Sequence, residues 1–70
     1  MARIEKLSIT EHVNPADFSL TYLCRFAVDG VKCAPFWSHK IDLDRLGYDA
    51  WFASLMDNAE QLVREGNVDG

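Results

Sequence analysis

The hydrophobic rhythm of the chain changes once, from period two to period 3.6, near residue 42. Residues 4–13 alternate, with Leu7, Ile9 and Val13 on one side and Lys6, Ser8, Thr10 and His12 on the other, the mark of a strand with one covered face. Asn14-Pro15-Ala16-Asp17 then reads as a turn, because proline holds φ near about −65° and Asn and Asp bond the local backbone. The alternation is clearest over 18–28, where Phe18, Leu20, Tyr22, Cys24, Phe26 and Val28 interleave with Ser19, Thr21, Leu23, Arg25 and Ala27. Asp29-Gly30 is a two-residue hairpin signal, since a type I′ turn needs φ > 0 at both central positions. A third strand is expected over 31–41, with Val31, Cys33, Pro35, Trp37, His39 and Ile41 on the covered side and Lys32, Ala34, Phe36, Ser38 and Lys40 on the other.

A two-residue turn pairs Val28 with Val31 and, carried on without interruption, Tyr22 with Trp37 and Leu23 with Phe36. Pro35 then falls opposite Cys24 at a hydrogen-bonded pair, where it has no N–H to donate. A bulge or break is therefore expected near Pro35, and it would alter the facing of everything after it.

Residues 42–47 read as a loop or single turn. From Tyr48 the apolar positions Trp51, Phe52, Leu55, Met56, Ala59, Leu62 and Val63 form one helical stripe. Asp49 suits the first turn, Arg64 the last, and Gly66 is a natural residue just past the end. The spacing predicts a helix over about 48–65 and a frayed tail over 67–70. The expected architecture is α+β: one domain, 1–70, in which a three-stranded antiparallel meander (about 4–13, 18–28 and 31–41) packs one face on a single C-terminal amphipathic helix. Three strands on a helix can stand where an isolated hairpin is marginal. The expected core is Leu7, Ile9, Phe18, Leu20, Tyr22, Phe26, Val28, Trp37, Ile41, Trp51, Phe52, Leu55, Met56, Leu62 and Val63.

Seventy residues permit one small domain. No apolar run approaches the roughly 20 residues that span a bilayer, and no apolar segment follows the charges of Arg3, Glu5 and Lys6 as a signal peptide requires. Net charge is −4, which opposes binding to nucleic acid or anionic membrane. Residues 1–41 carry five basic and four acidic side chains, residues 42–70 two basic and seven acidic. The sheet half is thus slightly basic and the helix half strongly acidic.

Chemistry is sparse. Cys24 and Cys33 lie diagonally on adjacent strands, about 7–8 Å apart, and are expected as reduced core thiols of a cytoplasmic protein. Their eight-residue gap does not suit zinc. His39 falls about six residues along the strand from Cys33, roughly 20 Å, and is expected as a rim residue beside Trp37. Asp42, Asp44 and Asp49 do not follow the order of a calcium loop. No catalytic residue, metal ligand or cofactor-binding residue is assigned, and the chain is not expected to be an enzyme.

Two surfaces remain. One helix covers one sheet face, so the other is expected to display Leu23 opposite Phe36, ringed by Arg25, Lys32 and Lys40, an apolar centre in a polar rim. The second is the acidic helix face of Asp44, Asp49, Asp57 and Glu60, which suits a basic partner. In size, acidity and sheet-plus-helix plan the chain resembles small phage and mobile-element proteins, among them some anti-CRISPR inhibitors; the resemblance is one of type and carries no residue across. The expected function is a noncatalytic protein–protein interaction module that occupies a surface of a larger protein, with a homodimer through the open face as a further expectation. Two alternatives use the same residues. One is a nucleic-acid-binding sheet built on Phe36, Arg25, Lys32 and Lys40, which net charge opposes. The other is an acidic mimic of nucleic acid that blocks a basic nucleic-acid-binding protein.

Overall fold

In a computed structural model, described over residues 2–69, the chain is α+β, with a four-stranded antiparallel sheet and two helices. Strand β1 is Ile4–Val13, β2 Leu20–Val28, β3 Val31–Lys32 and β4 Phe36–His39, followed by helices α1, Lys40–Leu46, and α2, Tyr48–Arg64. Strand β2 is central: β1 pairs along one edge, β3 and then β4 along the other. The Asp29-Gly30 turn adopts positive φ at both residues, 51° and 82°, as a primed hairpin turn requires.

The third strand is broken where proline falls. Val28 pairs with Val31 and Ala27 with Lys32, but beyond the break Cys24 pairs with Phe36, Leu23 with Trp37, Tyr22 with Ser38 and Thr21 with His39. Ala34 and Pro35 together oppose the single residue Arg25. One inserted residue reverses the facing of all that follow, because side chains alternate with period two. Phe36, expected outside, therefore stacks on Phe26 with ring centroids 5.9 Å apart. Trp37, expected in the core, is 55% exposed. The N–H of Ala34 goes to Asn67 O at 3.0 Å, and Pro35 has no N–H to satisfy.

Strand β1 carries a matching irregularity between Lys6 and Ser8, again at the level of Arg25. Leu7 is the extra residue. It leaves the expected core and is 42% exposed, while Ile4 and Ile9, on either side of the bulge, both pack against the core.

Three further expectations are corrected. The strand ends at His39 because Lys40–Leu46 forms a helix in its own right, with Leu43 against the core. Ile41 is consequently 72% exposed. Phe18 closes the Asn14–Ser19 turn with φ 60° and is 80% exposed. The segment expected to fray is tied down: Val68 bridges Cys33, and the N–H of Asp69 donates to Lys32 O at 2.9 Å. Gly70 lies outside the described residues.

The core lies between the sheet and α2, which contributes Trp51, Leu55 and Ala59 at successive turns to Cys24, Phe26, Val28 and Cys33. Ser38, turned inward by the register change, accepts the indole N–H of Trp51 at 2.8 Å. Gly47, at φ 84° and ψ 159°, separates the helices in a conformation open essentially to glycine alone. Gly66, at φ 82°, ends α2, and the N–H of Asn67 donates to Leu62 O at 2.8 Å, as in a glycine-terminated helix.

Candidate functional site

Both helices pack on the side of the sheet that presents Cys24, Phe26 and Val28. The opposite side has no second layer among the described residues. By strand alternation and register it presents Ser8, Thr10 and His12 from β1, Thr21, Leu23, Arg25 and Ala27 from β2, and Lys32, Trp37 and His39 from β3 and β4. Its centre is Leu23, flanked by Thr10 on one side and Trp37 on the other. The His12 ring meets Trp37 edge-on, with centroids 5.2 Å apart and planes at 74°. His12, not His39, is thus the imidazole packed on this tryptophan.

Toward the other end, Leu7, Arg25, Lys32, Cys33 and Asp69 line a shallow depression of about 280 Å³. The docked tail brings Asp69 within 3.9 Å of Arg25. On this face Arg25 is paired with Asp69, and Glu5, opposite Ala27, lies 3.8 Å from Arg3.

The expected residues are therefore only partly brought together. Leu23, Arg25 and Lys32 share the open face. Phe36 is on the core side, and Lys40 sits in α1 with its ammonium 2.9 Å from both oxygens of Asp44. The hydrogen bond and charge of that carboxylate raise the Lys40 pKa. The nucleic-acid arrangement of Phe36, Arg25, Lys32 and Lys40 is accordingly not assembled on one surface. Trp37 and Leu7 are the members whose facing the alternation missed; His12 was faced away from the core by it but not singled out. The available signal was Pro35: moving the facing by one residue after it turns Trp37 outward.

The acidic surface is more compensated than the sequence count implies. Asp44 pairs with Lys40, Asp42 with Arg45 at 3.0 Å and Glu60 with Arg64 at 2.6 Å. Asp49 and Asp57 are exposed on α2 and make no ion pair among the described residues.

Both cysteines are free and buried. Burial, with a smaller contribution from Cys33, pushes the Cys24 thiol up to about 11, which keeps it protonated and a poor nucleophile at neutral pH. Among the described residues, no three His, Cys, Asp or Glu side chains are grouped to hold a metal ion, and no helix is long and apolar enough to cross a membrane. Comparison with family models, curated proteins and solved structures gave no match.

Proposed function

We propose that this chain is a noncatalytic interaction module that lays the open face of its sheet on a protein partner, with Trp37 as the anchor. The observation that carries this reading is a tryptophan 55% exposed on the uncovered face of the sheet, reaching from the edge strand β4 to lie beside Leu23 and His12. A Trp side chain presents up to about 250 Å², so covering the exposed half is worth roughly 3 kcal/mol. Tryptophan is also among the residues most enriched at the energetic centres of interfaces. Occupying a partner's surface in this way is an inhibitory mode of action. Two buried free thiols suit a reducing compartment, and we place the module in the cytoplasm as part of the same reading. The acidic face of α2, with Asp49 and Asp57, is secondary, since Asp44 and Glu60 are already paired.

Affinity capture with three versions of the chain tests this. The expected result is a stoichiometric protein retained by the wild type and by the Asp49→Asn/Asp57→Asn double variant but lost with Trp37→Ser. A protein lost with the double variant and kept by Trp37→Ser transfers the function to the acidic helix and ends the open-face reading.

A further inference from the structure

We propose that two copies of this chain join edge to edge, strand β1 against β1 of the second copy, antiparallel about a two-fold axis beside Ile9. This contact is separate from the open face and does not rest on it. On the far side of β2, the β3 edge is covered by residues 67–69, through the Val68–Cys33 bridge and the bond from Asp69 N–H to Lys32 O, and β4 is only four residues long. Strand β1 has ten residues and pairs with β2 alone. The Phe26 carbonyl accepts from Cys33 on the β3 side, so backbone alternation turns Arg25 and Ala27 toward β1 and leaves Lys6, opposite Phe26, in a non-hydrogen-bonded pair. By the same alternation and register, Ile4, Lys6, Ile9, Glu11 and Val13 direct their N–H and C=O groups away from β2, along the free edge. Their side chains lie on the helical side of the sheet, yet Lys6, Glu11 and Val13 are exposed and Ile4 and Ile9 half-buried, so the helices leave the outer side of this row open.

Complementarity selects the occupant. Charges and a bulge deter indiscriminate pairing at an edge: a strand that joins this one must meet Lys6 and Glu11 with opposite charges and match the extra residue at Leu7. Strand β1 itself does both. Leu7 and Ser8 together oppose the single residue Arg25, and with that pair counted as one step, Lys6 and Glu11 are equally far from Ile9, as are Ile4 and Val13. Set antiparallel about Ile9, Lys6 therefore opposes Glu11 of the partner subunit, Ile4 opposes Val13 of the partner subunit, and Ile9 opposes Ile9 of the partner subunit. On the other side of the sheet Glu5 opposes His12 of the partner subunit, so no like charges are opposed. Lys6 and Glu11 make no ion pair within the chain among the described residues. A shift of two residues in either direction sets Ile9 against Lys6 or Glu11, which specifies the register.

Main-chain hydrogen bonds, rather than buried area, hold an added strand. The outward groups of the two copies allow up to about ten such bonds, the number a standard interface carries. Little apolar surface is covered, so the dimer is reversible, with dissociation in the range of about 1 µM to 1 mM.

Sedimentation equilibrium of the intact chain across that range tests it. The wild-type mass is expected to rise from 7.9 kDa toward twice that value. Lys6→Glu and Glu11→Lys each set like charges together in both symmetric pairs, and each should weaken association about ten-fold or more. The double variant Lys6→Glu/Glu11→Lys restores opposite charges and should regain wild-type association. Trp37→Ser, on a face this contact leaves free, should associate as the wild type does. Amide hydrogen exchange of Lys6, Ile9 and Glu11 should slow as mass rises, while that of Thr10, whose N–H points to β2, should not change. A wild type that stays monomeric to about 1 mM, a double variant no stronger than either single one, or an association lost with Trp37→Ser overturns the edge dimer.

Discussion

Taking one oxygen atom from Ser38 probes the register change at Pro35. The hydroxyl of Ser38 is the acceptor for the Trp51 indole N–H at 2.8 Å, and Trp51 is 2% exposed. Ser38→Ala takes the acceptor away from an N–H carried by a side chain packed in the core. An orphaned buried donor costs about 1–3 kcal/mol. A domain of this size holds only roughly 4–10 kcal/mol in total. Its unfolding entropy, near 2.1 cal/mol/K per residue, converts the loss into a fall in Tm of roughly 7–20 °C. Thermal melts followed by far-ultraviolet circular dichroism, with urea titrations alongside, measure this directly. Ser54→Ala is the control: its hydroxyl donates to Trp51 O on an exposed residue, so its effect should stay within about 0.5 kcal/mol. Were the alternation unbroken past Pro35, Ser38 would face solvent and its removal would be neutral. A Ser38→Ala melt indistinguishable from that of wild type therefore refutes the register and, with it, the outward placement of Trp37.

Three more expectations follow from the same geometry. Phe36→Ala should lose about 2–4 kcal/mol by opening a gap against Phe26, whereas Trp37→Ala, on the open face, should lose under about 1 kcal/mol; urea midpoints that rank these two the other way would reverse the facing. Phe18→Asn should raise stability by about 0.5–1 kcal/mol, because asparagine tolerates the left-handed conformation that Phe18 holds at φ 60° while 80% exposed; a loss above about 1 kcal/mol would show that the ring is packed. Stability should also decline in alkali. The Cys24 pKa is raised from 9.0 to about 11 on folding, so the native state holds this proton more tightly than the unfolded chain. The contribution is whole below pH 9.0 and is lost as pH rises toward 11, by up to about 2–3 kcal/mol. Cys24→Ala should flatten that part of the profile, and an unchanged slope would remove Cys24 as its source.

The amino-acid pattern by itself determined the elements whose signals are local. Asp29-Gly30 encodes its turn, the stripe from Trp51 to Val63 encodes α2, and Gly66 ends that helix. The alternation over 20–28 encodes a central strand with Cys24, Phe26 and Val28 inside. Pro35 even marked where pairing would fail. Tertiary structure decided which way the chain resumed afterwards. Strand facing depends on counting every residue, and a single insertion at Ala34-Pro35 exchanges the environments of Phe36 and Trp37. The insertion is accommodated because Asn67, distant in sequence, accepts the N–H of Ala34, while Trp51 supplies a donor for Ser38. The displaced Leu7 likewise depends on a bulge in pairing with β2, which no local preference in β1 encodes. Secondary structure was legible because its hydrogen bonds and turns close over a few residues. The composition of the open face was not, because it depends on partners brought together only when the whole chain has folded.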